Sequence, residues 1–175
     1  MGCDITMFAE TRKSESSEWK KVGNIFTSVC GPTDRPYCDR NSRLFALLAD
    51  VRNEYNFDPI KRIAYKLPED ISNGIFDAFV SQTGVYAIGY YTLQELIEFN
   101  WDFTFTNHGV ISPTEIAGLL DGKIPTEYCG MSNLQGYEYR EWEERFESSF
   151  VTEAIPELKK LGSPDNVRIV FWFDN

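Results

Sequence analysis

The stretch of sequence that decides the fold is VRIVFWFDN, residues 167–175, together with MGCDITMFAE, residues 1–10. In both stretches successive side chains alternate between two faces, and this period of two residues predicts half-buried β-strands. We expect the two strands to pair in one sheet beneath a helix, because each has an apolar face too large to leave in water. The residues predicted to be buried there are Ile5, Met7, Ile169, Phe171 and Phe173.

Apolar residues with a helical period lie between these two strands. Leu44, Leu48 and Val51 fall on one stripe, which predicts a helix over residues 42–55. A second helix is expected to begin at Pro68. Further helices are predicted after the capping residues Thr92 and Ser112, and over the aromatic stripe of Tyr139, Trp142, Phe146 and Phe150.

Strands and helices therefore interleave, but without the regular alternation of a doubly wound sheet. This order predicts an α+β fold in which a mostly antiparallel sheet contains both terminal strands and is covered by four or five helices. A chain of 175 residues, 42% of them hydrophobic, is long enough to bury one core, so we expect a single domain over residues 1–175.

The charge of the chain limits its partners. There are 27 acidic and 17 basic residues, which give a formal net charge of −10. Because this charge repels phosphate, nucleic acid is not expected as a partner. An acidic surface maintains solubility, and it can also mimic DNA or dock on a basic host protein.

Several classes of site and location are disfavoured by what the sequence lacks. No apolar run approaches the ~20 residues of a membrane-spanning helix, and no signal peptide precedes the first strand. We therefore expect a cytoplasmic protein with no membrane partner. The four cysteines, Cys3, Cys30, Cys38 and Cys129, lack CxxC spacing, which disfavours structural zinc. A cysteine nucleophile would have only His108 as its base, and no cofactor is predicted.

Four segments are similar to one family of small phage and prophage proteins: MGCDI at 1–5, LFALLADVRN at 44–53, TLQEL at 92–96 and VRIVFWFDN at 167–175. Proteins of that family begin with Met-Gly-Cys-Asp-Ile-His and end in a Phe-Trp-Phe-Asp-Asn strand. The resemblance implies a phage or prophage origin and a location in the cytoplasm of a bacterial host, and it specifies no reaction. This chain departs from the pattern at Thr6, where the family has histidine.

Acidic residues near both chain ends form the first candidate site. If the terminal strands pair, Asp4, Glu10 and Asp174 converge in one sheet. Converging carboxylates can bind a divalent cation or transfer protons, and His108 could assist a hydrolase or phosphodiesterase of this kind. The alternative interpretation is a solvated sheet face with ion pairs.

Arginines around the first helix form the second candidate site. Arg40, Arg43 and Arg52 can clamp a phosphate or carboxylate, with Asp4 and Arg168 nearby if the terminal strands pair. The alternative is a set of surface ion pairs with Asp39 and Asp50.

Aromatic residues form the third candidate. Tyr90 and Trp101 belong to an aromatic-rich region that could stack a nucleobase or anchor a protein. Aromatics at strand spacing are also ordinary core residues.

These candidates support three functions. The preferred one is a phage or prophage accessory protein, not an enzyme, that acts by sequestering a small anionic, nucleotide-like ligand or by occluding a host protein. The second is the metal-dependent hydrolase or phosphodiesterase. The third is a virion or assembly protein that associates with itself, as a homodimer for example.

Overall fold

The computed structural model describes residues 2–28, 31–61 and 65–174. The chain divides into two compact units. The terminal unit comprises residues 1–100 and 148–175, and the inserted unit comprises residues 101–147. The mixture of helices and antiparallel sheets confirms the α+β class, whereas a single domain over residues 1–175 stays a prediction.

The strands and helices follow one another in a mixed order. In chain order they are β1 (Asp4–Thr11), β2 (Lys20–Lys21), β3 (Phe26–Ser28), β4 (Gly31–Thr33), α1 (Ser42–Ala49), α2 (Asn73–Val80), β5 (Tyr86–Thr92), α3 (Leu93–Glu98), β6 (Thr104–Ile111), α4 (Pro113–Leu120), β7 (Tyr128–Cys129), β8 (Glu138–Arg145), α5 (Ile155–Lys159) and β9 (Val167–Asp174). None of the helices that the structure describes has the length and apolar character needed to cross a membrane.

Both terminal strands lie in the four-stranded sheet of the terminal unit, as predicted. The strand order is β2-β1-β9-β5, and β9 is antiparallel to both of its neighbours. The register with β1 runs without interruption from Asp4 opposite Asp174 to Thr11 opposite Val167. The C-terminal strand is therefore a central strand, held by backbone hydrogen bonds on both sides.

This sheet is buried on both faces, which differs from the half-buried strands predicted. Residues 167–173 of β9 are all buried, and so are residues 5–10 of β1. The alternation in the sequence is real, but Val170 and Trp172 are as apolar as the residues between them. Helices cover both faces of the central strands, so the face that carries Asp4 is solvated only at its end, where the Asp4 side chain is 50% exposed in an ion pair with Arg40.

The first face carries the residues predicted to be buried, and it packs against α1. Ile5, Met7, Ile169, Phe171 and Phe173 are all buried, as predicted. The ring of Phe45 in α1 packs edge-on against Phe173, with 4.9 Å between ring centroids. The helix is shorter than the predicted range 42–55, because Asp50 adopts a left-handed conformation (φ 57°) that ends it after Ala49.

The second face packs against α2. Phe8, Val170 and Trp172 form a cluster with Ile75 of α2, and the ring of Phe79 lies 5.3 Å from that of Trp172. The helix begins at Asn73 rather than at the predicted Pro68. Residues 69–70 form a turn before it, which places Asp70 beside the sheet.

The inserted unit contains a separate antiparallel sheet of order β7-β6-β8. Here the sequence prediction is wrong, because residues 138–145 form a strand and not the start of an aromatic helix. The side chains of Arg140, Trp142 and Glu144 are the more buried ones, so the strand has a period of two. Trp142 pairs with Asn107 of β6, which is also buried.

We expect Gly89→Ala to destabilise the protein by about 1–3 kcal/mol, because overpacking a full core costs that much. A Cβ atom at Gly89 would lie 2.7 Å from Phe171 Cζ, in the centre of the sheet. Gly23→Ala is the matched control, since nothing lies within 4 Å of its Cβ position. Urea denaturation of both variants measures the difference, and equal stabilities would contradict the packing described.

Candidate functional site

The predicted site residues fall at several separate places, and the first is the end of the sheet where β1 begins and β9 ends. Arg40 donates hydrogen bonds to both carboxylate oxygens of Asp4, at 2.5 Å from Nε and 2.8 Å from Nη2. These bonds lower the pKa of Asp4. Asp174 is the cross-strand neighbour of Asp4. Arg40, expected to clamp an anion, is thus already paired with a carboxylate of the same chain.

Beside this ion pair, the buried thiol of Cys3 lies 3.0 Å from the hydroxyl of Tyr86. Burial and the hydrogen bond with Cys3 raise the pKa of Tyr86 to about 12, while the charge of Arg52 acts in the opposite direction. Arg52 has a left-handed backbone (φ 52°), and so does Ala87 (φ 48°), within a β-bulge of β5. Strained residues and bulges of this kind concentrate at functional sites.

Arg43, the one predicted site arginine within α1, lies beside aromatic rings. The guanidinium of Arg43 lies 5.6 Å from the ring centroid of Tyr55, which is itself stacked on Phe57. Arg40 thus pairs with a carboxylate and Arg43 lies beside an aromatic ring, and an anion clamp formed by these two residues and Arg52 stays a prediction.

The second place is the opposite end of the sheet, where Arg168 is buried with Glu10. Arg168 Nε donates to Glu10 Oε2 at 2.6 Å, and Nη1 donates to Asp70 Oδ1 at 2.7 Å. The backbone amide of Ser72 donates to the second oxygen of Glu10 at 2.7 Å. Burial raises the pKa of Asp70, but the hydrogen bond and charge of Arg168 outweigh it, so that the pKa is lowered.

Aromatic rings complete this network. The guanidinium of Arg168 lies 4.1 Å from the ring centroid of Trp19 and 5.9 Å from that of Tyr90. Trp19 Nε1 donates to Asp70 Oδ2 at 2.9 Å. Tyr90 therefore lies beside Arg168, as the predicted ligand site requires. The guanidinium, however, already donates its hydrogen bonds to carboxylates of the same chain.

A cavity of about 470 Å³ lies next to this network. Its lining includes Arg12, Glu15, Glu18, Trp19 and Asp70. Arg12 already donates to the side chain of Asn166 at 3.0 Å. With three carboxylates against one bonded guanidinium, the cavity disfavours a small anion.

The structure does not bring the predicted metal ligands together. Asp4 and Asp174 are neighbours, but Glu10 is six residues along β1 from Asp4, a separation of roughly 20 Å. Oxygen ligands must approach a divalent ion within about 2.0–2.6 Å, so these carboxylates cannot share one ion. Among the described residues, no group of three or more His, Cys, Asp or Glu side chains can hold a metal ion.

His108 and Trp101, the remaining predicted residues, belong to the inserted unit. The ring of His108 lies 6.0 Å from that of Tyr139, and the ring of Trp101 lies 5.9 Å from that of Phe146. Among the described cysteines, Cys3, Cys38 and Cys129 are not joined in disulfides, and Cys30 lies outside the described residues.

The turn-rich residues 124–136 read as a long surface loop from the sequence, but the exposed apolar residues in and around this loop were not among the predicted site residues. Leu120, Met131 and Leu134 are 84%, 80% and 64% exposed. They lie in residues 120–139, here called the exposed apolar segment, which also contains Ile124, Tyr128 and Tyr139, each more than one-third exposed. None of the eight residues of α4 is buried, although four of them are isoleucine, alanine or leucine. Exposed apolar residues grouped in one stretch of the chain make this segment a candidate interaction surface.

The inserted unit is also the most acidic part of the chain. Its 47 residues contain nine acidic and three basic side chains, so they contribute −6 to the net charge of −10. The counts were visible in the sequence, but their significance depends on knowing that residues 101–147 form a compact unit. Within that unit, residues 138–145 pair with β6 along their whole length.

Comparisons with protein-family models, with curated proteins and with solved structures find no match to this chain. The candidate sites therefore rest on the geometry alone.

We expect Glu10→Gln to destabilise the protein by about 1.5–3 kcal/mol, because Arg168 loses a buried charged hydrogen-bond partner while Asp70 still pairs with it. Asp4→Asn makes the same chemical change in an ion pair whose two side chains are 50% and 66% exposed, so it should cost far less. Guanidinium denaturation compares the two variants. Equal losses would contradict the burial of the Arg168 network.

We expect the protein to lose stability as the pH rises from about 10 to about 12. Burial raises the pKa of Tyr37 and that of Tyr86 to about 12, whereas the unfolded chain releases these protons near pH 10. Between these values the unfolded state binds fewer protons, so increasing pH favours unfolding, and the stabilisation is complete only below pH 10. Urea midpoints across this range, with Tyr86→Phe as the control, measure the effect. A midpoint independent of pH would contradict it.

Proposed function

We propose that this chain is a phage or prophage accessory protein that acts by binding, and that it occludes a host protein with a basic and partly apolar surface. The observation that carries this proposal is the coincidence of exposed apolar residues and net negative charge in the inserted unit. The origin follows from the resemblance of the chain ends to the phage family, and the mode of action follows from the surface.

The apolar residues supply the affinity. Leu120, Met131 and Leu134 are each more than 60% exposed, and fully burying a side chain of this size contributes about 1.5–3 kcal/mol. A few such residues dominate the binding energy of most protein interfaces. The exposed apolar segment has enough of them for a specific contact.

The charge selects the partner. A net charge of −6 on 47 residues attracts a basic surface and accelerates its association. The same charge repels nucleic acid and a second copy of the chain. A basic host protein is therefore favoured over a homodimer and over a virion lattice built from this protein alone.

A small anionic ligand, the other form of binding predicted from the sequence, has less support. Arg40 is paired with Asp4, and Arg168 is paired with Glu10 and Asp70. The cavity beside Arg168 is lined by three acidic residues and one basic residue. Each arginine that was expected to bind the anion has a partner or a ring beside it.

We expect the triple variant Leu120→Ser, Met131→Ser, Leu134→Ser to lose a partner that the wild-type chain retains from a lysate of the bacterial host. The matched control is Ile25→Ser, Phe76→Ser, Val80→Ser, three residues of the terminal unit that are 46–58% exposed. Retention should fall as salt rises from about 0.05 to about 0.5 M, because screening weakens the attraction between charged surfaces.

Two measurements accompany this comparison. Thermal unfolding establishes that each triple variant is folded, and light scattering establishes whether the wild-type chain is monomeric. A partner retained equally by both triple variants, no retained partner at all, or a stable homodimer that loses its interface in the first variant would each contradict the proposal.

A further inference from the structure

The outer edge of β8 is a free strand edge. In the sheet β7-β6-β8, β8 is the last strand, and along its eight residues it pairs only with β6 among the residues that the structure describes. An unpaired edge presents a row of backbone N–H and C=O groups that can accept another strand.

The register shows which residues present these groups. Phe146 donates its backbone N–H to the carbonyl of Phe103 at 2.9 Å. These two residues are directly opposite each other, one step beyond the pair Thr104 and Arg145. In an antiparallel ladder hydrogen-bonded pairs alternate with non-bonded pairs. The backbone N–H and C=O groups of the even-numbered residues of β8 therefore point toward β6, and those of the odd-numbered residues point toward the outer edge: Tyr139, Glu141, Glu143 and Arg145. The carbonyl of Tyr139 accepts a hydrogen bond from Arg140 Nη1 at 3.0 Å, so the positions that offer an added strand its bonds are those of Glu141 and Glu143.

The side chains of these odd-numbered residues are exposed, and the central two are acidic. Glu141 accepts a hydrogen bond from the Tyr139 hydroxyl at 3.4 Å, and Glu143 accepts one from the Thr106 hydroxyl at 2.7 Å. Both cations of the strand are paired with other carboxylates: Arg145 forms an ion pair with Asp102 at 2.8 Å, and Arg140 forms one with Glu138. The middle of the edge therefore combines free backbone donors and acceptors with negative charge.

A second copy of this chain does not suit the edge. If two β8 strands paired antiparallel about their centres, Glu141 and Glu143 of one copy would lie against the same residues of the other. Like charges directly opposite each other destabilise a strand pair. The charge that prevents pairing between copies favours a strand with lysine or arginine at alternate positions.

We propose that the β8 edge accepts an extended, basic segment of a partner protein as an added strand. This inference rests on the proposed function and specifies how the partner binds. Backbone hydrogen bonds to Glu141 and Glu143 hold the segment, and its basic side chains lie over their carboxylates. Eight residues of strand offer roughly 27 Å of edge.

The test measures separately how much the backbone hydrogen bonds of the edge and its carboxylates contribute to binding. Glu143→Pro removes an outward N–H, and Glu143→Ala removes the same carboxylate but keeps the N–H. The probe is a fluorescently labelled twelve-residue peptide in which lysine alternates with valine, and the control peptide has glutamate in place of lysine. Fluorescence anisotropy at low salt measures binding to the full-length chain.

We expect the lysine peptide to bind the wild-type chain, and to bind Glu143→Ala a few times more weakly. Glu143→Pro should bind about tenfold more weakly than Glu143→Ala, because the strand loses a hydrogen bond as well as the charge. The glutamate peptide should not bind. Equal affinity of the alanine and proline variants, equal binding of the two peptides, or no binding to the wild type would overturn the proposal.

The melting temperatures of proline variants show whether a loss of binding is due to unfolding. Glu143→Pro and Glu141→Pro should melt close to the wild-type temperature, whereas Arg140→Pro should destabilise the inserted unit, because its N–H faces β6 and pairs within the ladder. If both outward prolines unfold the unit, the assignment of the edge is wrong and the proposal falls with it.

The lysate experiment distinguishes this inference from the proposed function. A partner retained by Glu143→Pro but lost from the Leu120, Met131, Leu134 variant would leave the proposed function standing and exclude strand addition. Loss of the partner from both variants, with retention by Glu143→Ala, supports both. No retained partner at all counts against the proposed function, and the peptide measurement then decides the edge on its own.

Discussion

The pairing of β9 between β1 and β5 is the constraint on which the terminal unit depends. Because β9 is central and antiparallel to both neighbours, it joins the two ends of the chain in one sheet. Both faces of that sheet are covered, by α1 on one side and α2 on the other. A strand in this position must be apolar at nearly every residue, and residues 167–173 satisfy this requirement.

The one charged residue inside β9 shows what such burial demands. Arg168 is 4% exposed, and it is tolerated because Glu10, Asp70 and the ring of Trp19 surround its guanidinium. Without them the cost of desolvation would be several kcal/mol. The network also ties β1 to the turn before α2, because the Ser72 amide bonds to Glu10 and Asp70 bonds to Arg168. These contacts account for the burial of Arg168, and its role in ligand binding stays a prediction.

The terminal strands, the capped helices α3 and α4 and the α+β class were predictable, because each depends on a short local pattern. Thr92 and Glu95 form the expected capping box, and Pro113 opens α4 as the sequence indicates. The end of α1 was not predictable, since Asp50 ends it through a left-handed conformation that no glycine announces. A helix was wrongly predicted over residues 138–150 because four aromatic residues there have helical spacing: Tyr139, Trp142, Phe146 and Phe150. The buried positions of the strand are instead Arg140, Trp142 and Glu144, of which only one is apolar.

The same mistake concealed the candidate binding surface. In a helix over residues 138–145, Glu141 and Arg145 would lie one turn apart on the same face, and their opposite charges would offset each other. As a strand, they present Glu141 and Glu143 on one exposed face, and Arg145 pairs with Asp102 instead. Four of the nine acidic residues of the inserted unit lie in β8, and two of them, Glu141 and Glu143, share its exposed face. A surface of this kind depends on pairing partners distant in sequence, which is why the local pattern did not reveal it.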